Sequence, residues 1–212
     1  MTGTVFTRKY NEPEFDRGEI LRYSGCREHS EQIDSLIDEC VSECRSVLTY
    51  SVCFCEVAVD ISDPSIGEVD MSFTHIKSTA LTKNLTGCKA AVIFAATVGT
   101  PLDRLITKYS KLSPAKAVIM QAIGAERIES LCDVFCDELS KEVRSRSLEI
   151  RPRFSPGYGD LPLEMQRDIF RLLDPVRRIG LTLGETLLMS PTKSVSAIVG
   201  LREAIDNEQC SI

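Results

Sequence analysis

No tryptophan occurs in the 212 residues, histidine occurs only twice, and no two of the nine cysteines stand at the Cys-x-x-Cys spacing. An odd set of thiols without that spacing matches neither a zinc or redox motif nor a secreted disulfide framework, so reduced cysteines are expected. Positive charge is also in deficit. The chain sets 25 Lys and Arg against 31 Asp and Glu, for a net charge of -6. That balance argues against nucleic acid as a partner, which requires clustered cations to displace counterions from phosphates. Long apolar runs are missing too. Residues 90–96 form the longest, far short of a bilayer span, and residues 1–10 lack the apolar core of a secretion signal. A cytoplasmic protein without membrane contact is expected.

The common catalytic templates are equally absent. There is no G-x-S-x-G elbow, P-loop, H-E-x-x-H helix or dinucleotide glycine fingerprint. His29 and His75 read as structural, since acid-base work needs a placed partner that neither shows in the sequence.

What is present suffices for one core. At this length, with 43% hydrophobic residues, the expectation is a single domain over residues 1–212, with an N-terminal helical segment (1–50) before an α/β body (51–212). Ile33, Leu36, Ile37, Cys40, Val41, Cys44, Val47 and Leu48 recur at three- and four-residue steps, which predicts an amphipathic helix with both cysteines in its apolar stripe. Cys53, Cys55, Val57, Val59 and Ile61 alternate as in a strand. A helix is predicted over 77–85, stopping near Gly87, and residues 90–97 read as a central strand covered on both faces.

Thr100, Pro101 and Asp103 signal a helix start with Thr100 as the cap. Pro114 opens a longer helix to about Val143, with Met120, Ile123, Ile128, Leu131, Phe135 and Leu139 inward. A short strand over 148–153, a turn over 155–160, a helix over 162–173 and a short helix from Asp174 to Gly180 follow. Residues 185–189 and 194–199 read as a hairpin around a four-residue loop. The fold class is therefore α+β.

Among charged groups, Glu126 with Glu129 and Asp137 with Glu138 read as solvated helix faces. Arg144, Arg146, Arg151 and Arg153 form the one local basic concentration, suited either to an anionic ligand or partner or to a solvated face.

One further pattern is more specific. Arg153, Phe154, Ser155, Pro156, Gly157 and Tyr158 resemble the R-x-x-x-G-Y signature of the activation domain of cobalamin-dependent methionine synthase. Met189 to Ser196 resembles that family's M-W-P-x-x-S-V-S stretch, in the same order and at a comparable separation. The helix carrying Glu126 and Glu129 is similar to the family helix that brings a glutamate to the ligand. Two features depart from the family: Ser190 replaces the tryptophan, and the later tyrosine pair has no counterpart.

The resemblance implies the activation-domain fold, a mixed or antiparallel sheet with several packed helices, and S-adenosylmethionine as ligand. It assigns the site to Glu129, Arg153, Ser155, Gly157 and Tyr158. Arg153 suits the carboxylate through parallel N–H bonds, and Glu129 the ammonium or ribose hydroxyls. Gly157 permits close backbone approach, while Tyr158 offers a ring face and a hydroxyl. The implied reaction is reductive methylation, in which a flavodoxin-like donor reduces cobalamin and the reduced cobalamin takes the methyl group. Such work is positional, which accounts for the missing acid-base dyad. Cobalamin would arrive on a partner, a separate methionine synthase or corrinoid protein. Two alternatives stay open: a non-catalytic scaffold for a corrinoid protein that ignores S-adenosylmethionine, and a metal or redox role through the cysteines with Cys210 in a longer tail.

Overall fold

The computed structural model describes residues 3–26, 30–61 and 63–204, so His29 and Cys210 lie outside the described residues. In chain order these form β1 (Phe6–Tyr10), α1 (Arg17–Ser24), α2 (Glu31–Arg45), β2 (Tyr50–Asp60), β3 (Glu68–Met71), β4 (Thr74–Lys77), α3 (Thr79–Asn84), β5 (Cys88–Thr97), α4 (Thr100–Leu112), α5 (Pro114–Arg144), β6 (Leu148–Ile150), α6 (Met165–Leu173), α7 (Pro175–Ile179), β7 (Thr182–Leu183), β8 (Met189–Ser190) and β9 (Ser194–Glu203).

The fold is α+β. Its main sheet runs β4-β3-β2-β5-β9-β6, with β1 also beside β2, and every pairing is antiparallel. Side chains alternate across this sheet, and both faces are covered. Val52, Phe54, Val92, Phe94, Ala96 and Val199 face a core shared with α1, α2, α4 and α5. Cys53, Cys55, Val57, Ile93, Ala95 and Ile198 face a second core with α3 and α6. Covering both faces explains why β5 reads as a near-continuous apolar run. On the first face Phe135 packs between Phe94 and Phe54, with centroids 4.8 and 5.2 Å away, and such buried side chains each contribute about 1.5–3 kcal/mol.

The helices begin where their caps dictate. Ser30 accepts the Ile33 N–H at 3.2 Å and opens α2; Cys40 and Cys44 are fully buried in its stripe. Pro114 opens α5, and the core positions expected along it are buried. Gly124 in mid-helix marks a close crossing, since a Cβ there would lie 2.6 Å from Leu102 Cδ2 and 2.7 Å from Lys193 Cγ.

Several expectations are corrected. Residues 1–50 are not wholly helical, because β1 pairs with β2 from Phe6↔Phe54 to Tyr10↔Tyr50. Thr100 does not cap α4; Gly99 is the cap, without a side-chain bond. The anticipated hairpin does not form. β8 pairs with β7, while β9 runs between β5 and β6, because the apolar residues 195–201 match a central strand buried on both faces better than an exposed ribbon. Glu126 is no solvated residue either. It is 2% exposed and paired with the fully buried Arg127, whose Nη1 and Nη2 each donate at 2.6 Å to the carbonyls of Pro13 and Glu14. Glu126 accepts the Asp16 N–H at 3.2 Å, so the pair fastens the chain between β1 and α1 to the long helix.

Candidate functional site

Arg153 follows β6 on a segment that stays paired with β9. The Arg151 N–H donates to Gly200 at 2.8 Å, and Phe154 and Ile198 exchange backbone bonds of 2.8 Å. That pairing sets residues 153–155 antiparallel to 197–199, bringing the first motif against the strand that continues from the second. It also turns Arg153 toward α5, where Glu129 and Asp133 lie four residues apart on one helix face. Arg153 Nη2 donates to Glu129, and Nη1 to Asp133 at 2.8 Å.

The chain then makes a tight turn. Tyr158 N–H donates to Ser155 and Gly157 N–H to Leu161, at 3.2 and 2.9 Å. Gly157 has φ +91°, a conformation that L side chains rarely adopt. Asp160 anchors the turn from outside. Its carboxylate accepts from Ser78 Oγ at 2.5 Å, Thr79 N at 2.8 Å and Ala80 N at 3.0 Å. The Ser78 hydroxyl and those N–H donors at the start of α3 hold its carboxyl at about 2, below the usual 3.8.

These elements enclose a cleft of about 370 Å³. Glu129, Arg153, Ser155 and Tyr158 all line it, whereas Gly157 does not and serves the turn instead. Tyr158 is 68% exposed, at the mouth. Three further polar residues line the cleft: Gln166 from α6, and Ser194 and Ser196 from β9. Ser194 Oγ is engaged, donating to Pro191 at 2.8 Å and lying 2.9 Å from Thr97 Oγ1. Gln166 and Ser196 are not engaged. They are 6% and 2% exposed, yet Gln166 Oε1 and Ser196 Oγ have no hydrogen-bond partner among the described residues.

Sequence reasoning missed Asp133, although its i+4 spacing from Glu129 was a usable signal, and it missed Gln166, which sits on the inward stripe of an amphipathic helix. Ser194 and Ser196 read as plain strand residues; they are strand residues that also line the cleft. Lys193 reads as an exposed loop charge but is half-buried, with its stem over Gly124. Burial pulls its pKa down, opposed by Asp103. Asp103 in turn fixes the second motif, accepting from Thr192 N and Oγ1 at 2.8 and 2.6 Å.

The four arginines do not act together. Arg146 grips Glu56 at 2.6 and 2.7 Å and Arg151 Nε donates to the Asn84 carbonyl at 3.0 Å, which leaves Arg153 as the one of them lining the cleft. His75 lies exposed on β4, 3.3 Å from Asp70. Among the described residues no group of three or more His, Cys, Asp or Glu could hold a metal ion, and no helix is long and apolar enough to cross a membrane.

Residues 81–205 match the family described as the activation domain of vitamin B12-dependent methionine synthase. Among solved structures the chain is similar to a crystal structure of the MetH reactivation domain bound to AdoHcy, with 13% sequence identity and a TM-score of 0.68. The likeness covers 93% of this chain and 78% of that one, and at such identity it speaks for the fold. No curated protein matches the chain.

Proposed function

The chain belongs to the activation-domain family of vitamin B12-dependent methionine synthase, and on that premise we propose that its cleft binds S-adenosylmethionine to support reductive methylation of a cobalamin held by a separate methionine synthase or corrinoid protein. The observation that carries this reading is the Arg153–Glu129 ion pair on the cleft wall. The head group of S-adenosylmethionine bears a carboxylate and an ammonium on one carbon. Beside an arginine and a glutamate those two charges fall into alternation, each next to its opposite.

Arg153 retains N–H donors beyond the two given to α5, so it takes the carboxylate while Glu129 takes the ammonium. Tyr158 at the mouth offers its ring face to the sulfonium cation, and Ser155 lines the wall beside it. The MetH reactivation domain is bound to AdoHcy, the compound left after S-adenosylmethionine gives up its methyl group. The corrinoid, when its carrier protein docks, supplies the nucleophile, with the electron drawn from a flavodoxin-like donor. The residues described here orient the methyl donor and need no acid-base dyad.

Calorimetric titration of the whole chain with S-adenosylmethionine tests this reading, alongside an Arg153→Ala variant checked by circular dichroism. The expected result is saturable binding to the native chain, weakened by about tenfold or more in the variant, as follows from losing charge-assisted bonds of about 1.5–3 kcal/mol. No binding by the native chain would overturn it and favour the scaffold reading.

A further inference from the structure

The proposed site leaves Gln166 unused. On α6 this residue shares a stripe with Ile169 and Leu173 at steps of three and four, both fully buried. An apolar side chain is what that position calls for. Instead an amide sits there, 6% exposed on the cleft wall, with its Oε1 unpartnered among the described residues. Ser196 approaches from the sheet. It pairs across from Ala95, so it faces the α6 side, and its hydroxyl is likewise buried and unpartnered. Buried polar groups are normally hydrogen-bonded, and two exceptions on one cleft point to a ligand that completes them.

We propose that Gln166 reads the hydrogen-bonding edge of a purine ring in this cleft, a step that rests on the S-adenosylmethionine reading above. An amide sets a donor and an acceptor side by side, and adenine matches that pair with its exocyclic amine and an adjacent ring nitrogen. No other cleft side chain presents such a pair: Arg153 only donates, Glu129 only accepts, and Ser155, Ser194, Ser196 and Tyr158 each carry a single hydroxyl, that of Ser194 already engaged. The amide orients to suit the ring because no hydrogen bond among the described residues fixes which of its ends is oxygen. Ser196 adds one further bond from the strand side. The ion pair thus holds the amino-acid end, and Gln166 selects the base.

Calorimetry of the whole chain with two ligands provides the test: S-adenosylhomocysteine and its 6-desamino analogue, in which hydrogen replaces the exocyclic amine. The native chain is expected to prefer the amine-bearing ligand by about tenfold or more, since a site built to bond a group rejects the analogue lacking it. Gln166→Met should bring that preference to about twofold or less while the free variant keeps its fold by circular dichroism. Gln166→Asn, which keeps the amide but withdraws it by one methylene, should do the same. An unchanged preference in the two variants, or equal binding of the two ligands by the native chain, would overturn the assignment. Binding of neither ligand would instead remove the S-adenosylmethionine reading itself, and this inference with it.

Discussion

Replacing Arg127 by methionine removes one half of a buried ion pair and strands the other. Arg127 is fully buried and Glu126 is 2% exposed, with the guanidinium stacked 3.8 Å from the Phe15 ring centroid. Removing one member of such a pair typically costs about 3–5 kcal/mol, because a carboxylate is left in the interior without its counter-charge. The Pro13 and Glu14 carbonyls also lose their 2.6 Å bonds, but Glu14 is exposed, so water recovers part of that loss. A loss of about 4 kcal/mol is a large share of the 5–15 kcal/mol typical of a domain. With a urea slope of about 2 kcal/mol per molar it moves the unfolding midpoint down by about 2 M. The double variant Glu126→Leu, Arg127→Met contains no stranded charge and should recover at least about 1 kcal/mol of the loss. Recovery stays incomplete, because the Asp16 N–H and Ser130 hydroxyl lose the acceptor they now share. Urea denaturation followed by circular dichroism measures the three proteins. A shift below about 0.5 M for the single variant, or a double variant no more stable than the single, would refute the reasoning.

Asp160 supplies a pH signature: its folded pKa of about 2 lies below the ordinary 3.8, so its contribution is complete above pH 4 and fades as the pH falls toward 2. Melting temperatures of the native chain should therefore drop through that window more steeply than those of Asp160→Asn, and parallel curves would contradict the role assigned to its bonds with Ser78, Thr79 and Ala80. The cysteines give a second readout. Burial pushes the thiols of Cys44 and Cys53 up to about 12 and those of Cys40 and Cys55 to about 11, so they should resist a thiol reagent at pH 8 until the chain unfolds. Rapid labelling of these four in the native state, located by peptide mass spectrometry, would reopen a redox role.

The elements legible in the sequence were those with a period long enough to be read. α2, α5 and β5 each show ten or more residues of consistent patterning, and their cores follow directly. The misreadings cluster where pattern and context diverge. Residues 185–199 contain two apolar stretches around a Pro-containing turn, which is locally a hairpin. The second stretch goes to the sheet centre instead, because β5 and β6 offer its backbone partners on both edges. Glu126 follows the same logic. Its helix position gave no sign of burial, because the segment that covers the Glu126–Arg127 pair and bonds to it, residues 13–16, lies more than a hundred residues earlier in the chain. Among the residues that line the cleft, Arg153, Ser155 and Tyr158 were singled out through the motif and Glu129 through its helix. Gln166 was not, since one amide in an amphipathic helix has no periodic signature and stands out only once its partners can be counted.

Antiparallel pairing is what makes these scattered residues one site. The segment through Arg153 and Phe154 lies against β9 in reverse, so the first motif's start lies beside the strand residues that follow the second motif, and α5 passes close enough for Glu129 and Asp133 to reach the guanidinium. The loops between are held by bonds outside the cleft: Asp160 to α3 for the first motif and Asp103 to Thr192 for the second. Loop residues secured in this way are free to differ without moving the cleft walls. Ser190 illustrates the point, because it is exposed on β8 and does not line the cleft, so replacing the family's tryptophan there leaves the Arg153–Glu129 pair and the amide of Gln166 where the sheet and α6 set them. What the substitution changes is the outer surface beside the cleft.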